Sequence, residues 1–324
     1  MNEWNGRRVL VTGATGLLGG HLAETLLARG ADVVCLVRDW VPRARSIEEG
    51  RIERGTKVRG ELEDLAVLVR TLNEHEIDTV LHAGAQTIVG TASRSPVSTF
   101  ESNVRGTWNV LEACRLAAGL VTRVVVASSD KAYGVHERLP YTEDAELRGR
   151  APYDASKAAA ELVAKSYFAT FGVPLAIARC ANLYGPGDLN WNRLVPGTIR
   201  SALRGENPVL RSDGTLVRDW LFVEDAVEAY LALAEALPRP GIAGEAFNFG
   251  NGAPLTVLDL VARILAITGS ERLEPTVLAS SAHEIPRQFL DCTKARTLLA
   301  WAPRRSIDDG LAQTIAWYRA HLAC

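Results

Sequence analysis

Three glycines constrain this chain more than any other feature. Gly13, Gly16 and Gly19 stand three apart in Gly13-Ala14-Thr15-Gly16-Leu17-Leu18-Gly19, directly after the apolar run Val9-Leu10-Val11. Residues 7–12 read as a buried strand. Beyond the glycines, Leu22, Leu26 and Leu27 recur at helical spacing as far as Gly30, a plausible helix stop. A second apolar strand, 33–37, follows. Strand, glycine turn, helix and strand in that order form a crossover unit whose turn holds a pyrophosphate. Gly13 makes the tight turn, Gly16 lets backbone approach the phosphates, and Gly19 lets helix and strand pack closely. The helix N-terminus, with Thr15, Leu17 and Leu18 around it, then faces the anion.

The strand-helix alternation continues for about half the chain, which predicts an α/β fold: a Rossmann-type doubly wound parallel sheet. The end of the second strand should choose the dinucleotide. An acidic residue there suits the ribose hydroxyls of NAD, and an arginine suits the 2′-phosphate of NADP. The chain has both, Arg38 and Asp39, with Asp39 20 residues after Gly19. NAD and NADP therefore both stay open, and Arg38 also reads as a solvated surface charge. Residues 56–60 read as a third strand, followed by Glu61 and Leu62, where a carboxylate would accept from the adenine amino group. A helix is predicted over 62–73. A fourth strand, 77–83, ends in His82-Ala83-Gly84-Ala85-Gln86. Small Ala83 and Ala85 let backbone lie against a dinucleotide, and His82 reads as a packed structural residue. A long amphipathic helix is predicted over 97–117, with Phe100, Val104, Trp108 and Leu111 on one stripe and Asn103 interrupting it.

The chemistry-bearing stretch follows the fifth strand, Val124-Val125-Val126. It runs Ser128-Ser129-Asp130-Lys131-Ala132-Tyr133-Gly134. Ligands of doubly wound sheets sit at the carboxyl ends of strands, so hydroxyls, an acid and an amine are placed where a substrate would lie. Tyr153 and Lys157 follow, four apart on an Ala-rich segment, hence on one helix face. There the Lys157 ammonium would make the Tyr153 phenol a usable base.

After a sixth strand, 175–178, the alternation is lost. Residues 1–180 are expected to form the dinucleotide-binding domain, with 216–250 returning to it. Residues 181–215 and 251–324 are expected to form a smaller mixed α/β lobe for the substrate. The composition is 47% hydrophobic and 23% charged with net charge −2, which offers no surface for nucleic acid or membrane. No apolar run is long enough to span a bilayer, and Met1–Asn5 is polar rather than leader-like. Five scattered cysteines lack metal-site spacing, so no metal is expected and reduced thiols in a cytoplasm are.

These residues carry a family resemblance. From residue 7 to about 317 the chain resembles the extended short-chain dehydrogenase/reductases that act on nucleotide sugars. Thr12–Gly19 matches the family's glycine motif and Tyr153/Lys157 its catalytic pair. Residues 179–187, Arg-Cys-Ala-Asn-Leu-Tyr-Gly-Pro-Gly, match its sixth-strand signature. Arg218–Asp225 is similar to the segment whose arginine holds a diphosphate. Within the family, Ser129-Asp130-Lys131, Gly187-Asp188, Asn192–Pro196, His283-Glu284 and Leu290-Asp291-Cys292 look most like the 4,6-dehydratases of CDP-glucose. Arg38 and Arg287 depart from that group. Arg287 resembles a second phosphate-binding arginine of dTDP-sugar relatives.

The resemblance implies a tightly bound NAD or NADP regenerated in each turnover, a nucleotide-diphosphate sugar as substrate, and a homodimer built on the helices 97–117 and 153–171. It further implies that Tyr153, Ser129 and Lys157 oxidise the sugar at C4, that Asp130 is the acid at C6, and that Lys131 is the base at C5. Gln86, Asn182, Arg193, Arg218 and Arg287 would hold the substrate. Two other readings stay open: a 4-epimerase or 4-reductase, in which Asp130 and Lys131 form a structural ion pair, and a nucleotide-binding protein without turnover.

Overall fold

The computed structural model describes residues 3–278 and 284–323. Seven strands form the central sheet: β1 (Arg8–Thr12), β2 (Asp32–Val37), β3 (Thr56–Arg59), β4 (Thr79–His82), β5 (Arg123–Ser129), β6 (Leu175–Cys180) and β7 (Ala246–Phe249). Their order is β7-β6-β5-β4-β1-β2-β3 and every pairing is parallel. Strands covered on both faces need near-continuous apolar runs, and β1, β5 and β6 are buried almost throughout.

Helices cover both faces. On one side α1 (Leu17–Ala28) and the later helix α6 (Val223–Ala236) bury Leu22, Leu26, Ala226, Tyr230 and Leu233 against the sheet. On the other lie α2 (Leu65–Glu74), α3 (Gly106–Leu116) and α4 (Pro152–Phe171), which bury Leu68, Leu72, Val110, Leu111 and Ala164. The strand order reverses between β1 and β4, and a crevice opens there at the strands' carboxyl ends.

The helix predicted over 97–117 is not continuous. Pro96–Phe100 is one short helix, Glu101–Arg105 is a π-turn, and α3 begins at Gly106. The reason sits at Asn103, 1% exposed. Its amide donates to Gln86 O (3.0 Å) and Ser156 Oγ (2.9 Å), and its oxygen accepts from Gln86 N (2.7 Å). The wider turn turns this polar side chain inward, where an unbroken apolar stripe would otherwise run.

Three further helices, α5 (Leu194–Arg204), α7 (Val257–Thr268) and α8 (Ile307–Leu322), surround a second core of Tyr184, Ile199, Phe222, Leu260, Ile264 and Leu311. Helix α8 is latched to the segment after β2. Trp317 Nε1 donates to Glu49 Oε1 (2.6 Å) and His321 Nδ1 lies 3.2 Å from Glu48. No described helix is long and apolar enough to cross a membrane.

Candidate active site

A cavity of about 1130 Å³ runs along the carboxyl ends of the central strands and under α5. Gly13, with φ +71°, turns the chain out of β1; a Cβ there would lie 2.8 Å from Gly84 Cα. At Gly19 a Cβ would lie 2.2 Å from Gly13 O, so only glycine lets α1 start this close to the turn. No side chain caps α1 and no acidic residue stands in its first turn, so its first amides are left to an external acceptor. Such a cradle fits a dinucleotide pyrophosphate. Thr15, Gly16, Leu17 and Leu18 line it, as do Leu62, Ala83 and Ala85. Arg38 and Asp39 also line the cavity, at an exposed edge, and pair with each other (Nε to Oδ2, 2.7 Å).

Glu61 does not line this cavity; it is exposed. Glu63 lines it instead, and accepts from the Ser102 hydroxyl at 3.0 Å. His82 is packed. Thr107 Oγ1 donates to Asn103 O (2.6 Å), so His82 Nε2–H must donate to Thr107 (3.1 Å). His82 Nδ1 then accepts from Thr12 Oγ1 (2.9 Å), which itself accepts from Gly84 N. Burial holds this imidazole neutral, its pKa pushed down to about 3.

The reacting groups meet at the end of β5. Ser129 Oγ caps the following turn by accepting from Lys131 N (3.2 Å) and donates to Asp130 Oδ1 (3.0 Å). Tyr153 opens α4 beside it. Burial pushes its phenol up to about 12, while a hydrogen bond with Ser129 and the Arg193 charge pull it down. Lys157 lies one helical turn on and donates to Ala127 O (3.0 Å); burial lowers its pKa to about 8.

Asp130 is 1% exposed and its Oδ2 has no partner. Burial holds its carboxyl up to about 6, with Lys131, Ser129 and Arg218 pulling the other way. A carboxyl at that value donates a proton readily near neutral pH. Lys131 makes no ion pair with Asp130 within 4 Å; Nζ donates instead to Gln288 Oε1 at 3.4 Å. Asp154, next to the tyrosine, adds a buried carboxylate that feels the Lys131 charge.

Gln86, Asn182, Arg193 and Arg218 line the adjoining chamber. Asn182 Nδ2 donates to Asp219 O (3.2 Å), and Arg193 to Asp188 Oδ2 (3.0 Å) and Thr87 Oγ1 (2.8 Å). Arg218 is 5% exposed and donates to Glu284 Oε2 (3.2 Å). Arg287 is set apart from these. It is exposed, and its guanidinium lies over Phe289, 5.7 Å from the ring centre. Successive strand residues face opposite ways, so Gln288 takes the inward place and Arg287 the outward one. His283 lies outside the described residues. Behind the site Arg179 and Glu161, both fully buried, pair at 2.7 Å; Ser128 donates to Glu161, and Arg179 donates to Tyr133 Oη (2.6 Å). No cluster of metal-ligating side chains occurs among the described residues.

A phosphate cradle, a hydroxyl–phenol–amine set at a strand end and an adjoining cationic chamber define a dinucleotide-dependent enzyme that works at a carbinol carbon. The chain belongs to the NAD dependent epimerase/dehydratase family, whose model matches residues 9–250. It is 35% identical over 323 residues to a dTDP-glucose 4,6-dehydratase of Streptomyces antibioticus, covering 97% of this chain and 93% of the relative. It is 31% identical over 340 residues to a CDP-glucose 4,6-dehydratase of Salmonella typhimurium, covering 98% and 92%. Among solved structures, the DesIV double mutant, a dTDP-glucose 4,6-dehydratase of Streptomyces venezuelae with NAD bound, aligns with a TM-score of 0.88 at 31% identity, over 98% of both chains. A UDP-glucose 4-epimerase of Thermotoga maritima with UDP-glucose also reaches 0.88, at 27% identity over 97% of this chain and 99% of the other. Backbone likeness therefore does not separate elimination from epimerisation.

Proposed function

We propose that the protein is a nucleotide-sugar 4,6-dehydratase. It would convert an NDP-hexose such as CDP-glucose to the NDP-4-keto-6-deoxyhexose and water. The observation that carries this reading is Asp130: a buried carboxyl held up to about 6, with one oxygen unpartnered, beside an amine that is not paired to it. Oxidation at C4 alone needs neither group.

A bound dinucleotide would supply an acceptor for the C4 hydride and the hydride for C6, and would so be regenerated in each turnover. With the Lys157 ammonium and the positive charge of a bound oxidised dinucleotide lowering the pKa of its phenol, Tyr153 would accept the O4 proton while Ser129 hydrogen-bonds the same oxygen. The C5 proton, now α to a ketone, is removed by the Lys131 amine. Asp130 gives its proton to the C6 hydroxyl, which leaves as water; once C6 has received hydride, the Lys131 ammonium returns its proton to C5, and the O4 proton held by Tyr153 makes good the one Asp130 gave up. The Arg218 guanidinium is offered to the diphosphate, and Asn182, Arg193 and Gln86 to the rest of the substrate.

Other parts of the reading have separate support. The dTDP and CDP relatives are similarly distant, and Asp130-Lys131 favours CDP-glucose. The Arg38–Asp39 pair suits NADP as well as NAD. Val97, Phe100, Trp108, Leu162 and Phe171 are large apolar side chains left exposed on neighbouring helices, which supports a homodimer. The described cysteines are buried and free of disulfides, in keeping with a cytoplasmic protein.

The test is mass spectrometry of CDP-, dTDP-, UDP- and GDP-hexoses incubated with the purified protein and no reductant. Loss of one water is expected from one of them, and should disappear in Lys131→Ala. An isomer of unchanged mass would assign the protein to the 4-epimerases and make Asp130 and Lys131 structural.

A further inference from the structure

We propose that Gln288 is a positioning residue for the elimination step: its neutral amide aims the Lys131 amine at the sugar without holding the amine's proton. The inference rests on the dehydratase reading and assigns a role to a residue outside the cavity wall.

Gln288 is 0% exposed. It sits on the short strand Arg287–Gln288, which pairs in parallel with Val217–Arg218. Its Oε1 accepts from Lys131 Nζ at 3.4 Å. Its Nε2 is buried with no partner among the described residues, and a buried donor left unpaired carries a cost that an apolar side chain of the same shape would avoid. An amide kept there at that cost has a task, and the one group it holds is the Lys131 ammonium.

The chemistry says why that partner should be neutral. A base at C5 must reach the substrate without its proton. A carboxylate bound to Nζ would stabilise the ammonium, whereas an amide oxygen orients the amine with a far weaker hold on its charge. The carboxyl groups that feel the Lys131 charge are Asp130 on its own turn and Asp154 on α4; Arg218 acts on both, with Asp219 acting on Asp130 and Glu284 on Asp154. Neither Asp130 nor Asp154 makes an ion pair with Lys131, and the Arg218 charge, which acts on both carboxyls, is itself held by Glu284 at 3.2 Å. Gln288 is thus the hydrogen-bond acceptor that fixes where the amine points.

The experiment compares wild-type protein with Gln288→Glu and Gln288→Met, both close in volume, on the nucleotide hexose that the wild type dehydrates. Dehydration rate is measured against pH, with deuterium uptake at C5 in heavy water and the near-ultraviolet absorbance of the reduced dinucleotide. In Gln288→Glu the rising limb of the kcat profile should move up by about one pH unit, a tenfold loss of kcat on that limb with KM unchanged. Reduced dinucleotide should accumulate, because oxidation still occurs and elimination lags. Gln288→Met should lose kcat and C5 exchange without moving the limb upward. An unmoved limb in a folded Gln288→Glu overturns the proposal. If that variant does not fold, unchanged kcat in Gln288→Met overturns it. Failure of the dehydratase reading itself looks different: the wild type then shows neither water loss nor C5 exchange.

Discussion

At the scale of single residues, Asp130 is where chemistry and stability pull against each other. Its folded-state pKa is raised from 3.8 to about 6, so its burial is free of penalty below the lower value and costs stability as pH rises through the higher one. The cost above pH 6 is about 2–3 kcal/mol. Asp130→Asn keeps the shape and removes the charge. It should raise the melting temperature at pH 8, lose that gain as the pH falls toward 3.8, and abolish water loss, all measurable by calorimetry and product mass. The residue types at the end of β5 were plain in the sequence; their environment was not. A two-residue strand has no alternation to read, so Arg287 and Gln288 could not be assigned to faces before the pairing with Val217–Arg218 was seen. Glu61 and Glu63 posed the same difficulty in the loop before α2. Both are acidic, and only the backbone path decides which one meets the cavity.

At the scale of elements, the glycine turn is the most legible part of the molecule because its constraint is local. Gly13 needs positive φ and Gly19 needs the absence of a Cβ, and both needs are written in residue type. Gly19→Ala would set its Cβ 2.2 Å from Gly13 O. NAD should then bind at least tenfold more weakly and stop raising the melting temperature, as read by titration calorimetry and thermal shift. The helix before α3 lies at the other extreme. A π-turn leaves no mark in periodicity, since Val104, Trp108 and Leu111 continue a stripe whether or not one residue bulges. Asn103 in that stripe could equally have been polar surface, because its partners, Gln86 and Ser156, come from distant loops and helices.

At the scale of the whole molecule, a doubly wound parallel sheet follows from alternation and handedness and was legible for that reason, whereas the strand order is a finding of the structure. The smaller lobe has no such repeat, and its contacts join segments far apart in sequence. The exposed apolar face over α3 and α4 makes a prediction about assembly. Trp108→Glu combined with Leu162→Glu should convert a dimer to monomers in analytical ultracentrifugation, leaving the fold intact by circular dichroism. The latch between α8 and the segment after β2 bears on how the molecule comes into being. Glu49 and Trp317 are separated by 268 positions, so the loop that follows β2 is made early on the ribosome and finds its partner only when the last helix emerges. A nascent chain can therefore assemble its sheet well before this segment is braced, and the clasp between the two ends of the chain is among the last contacts to close.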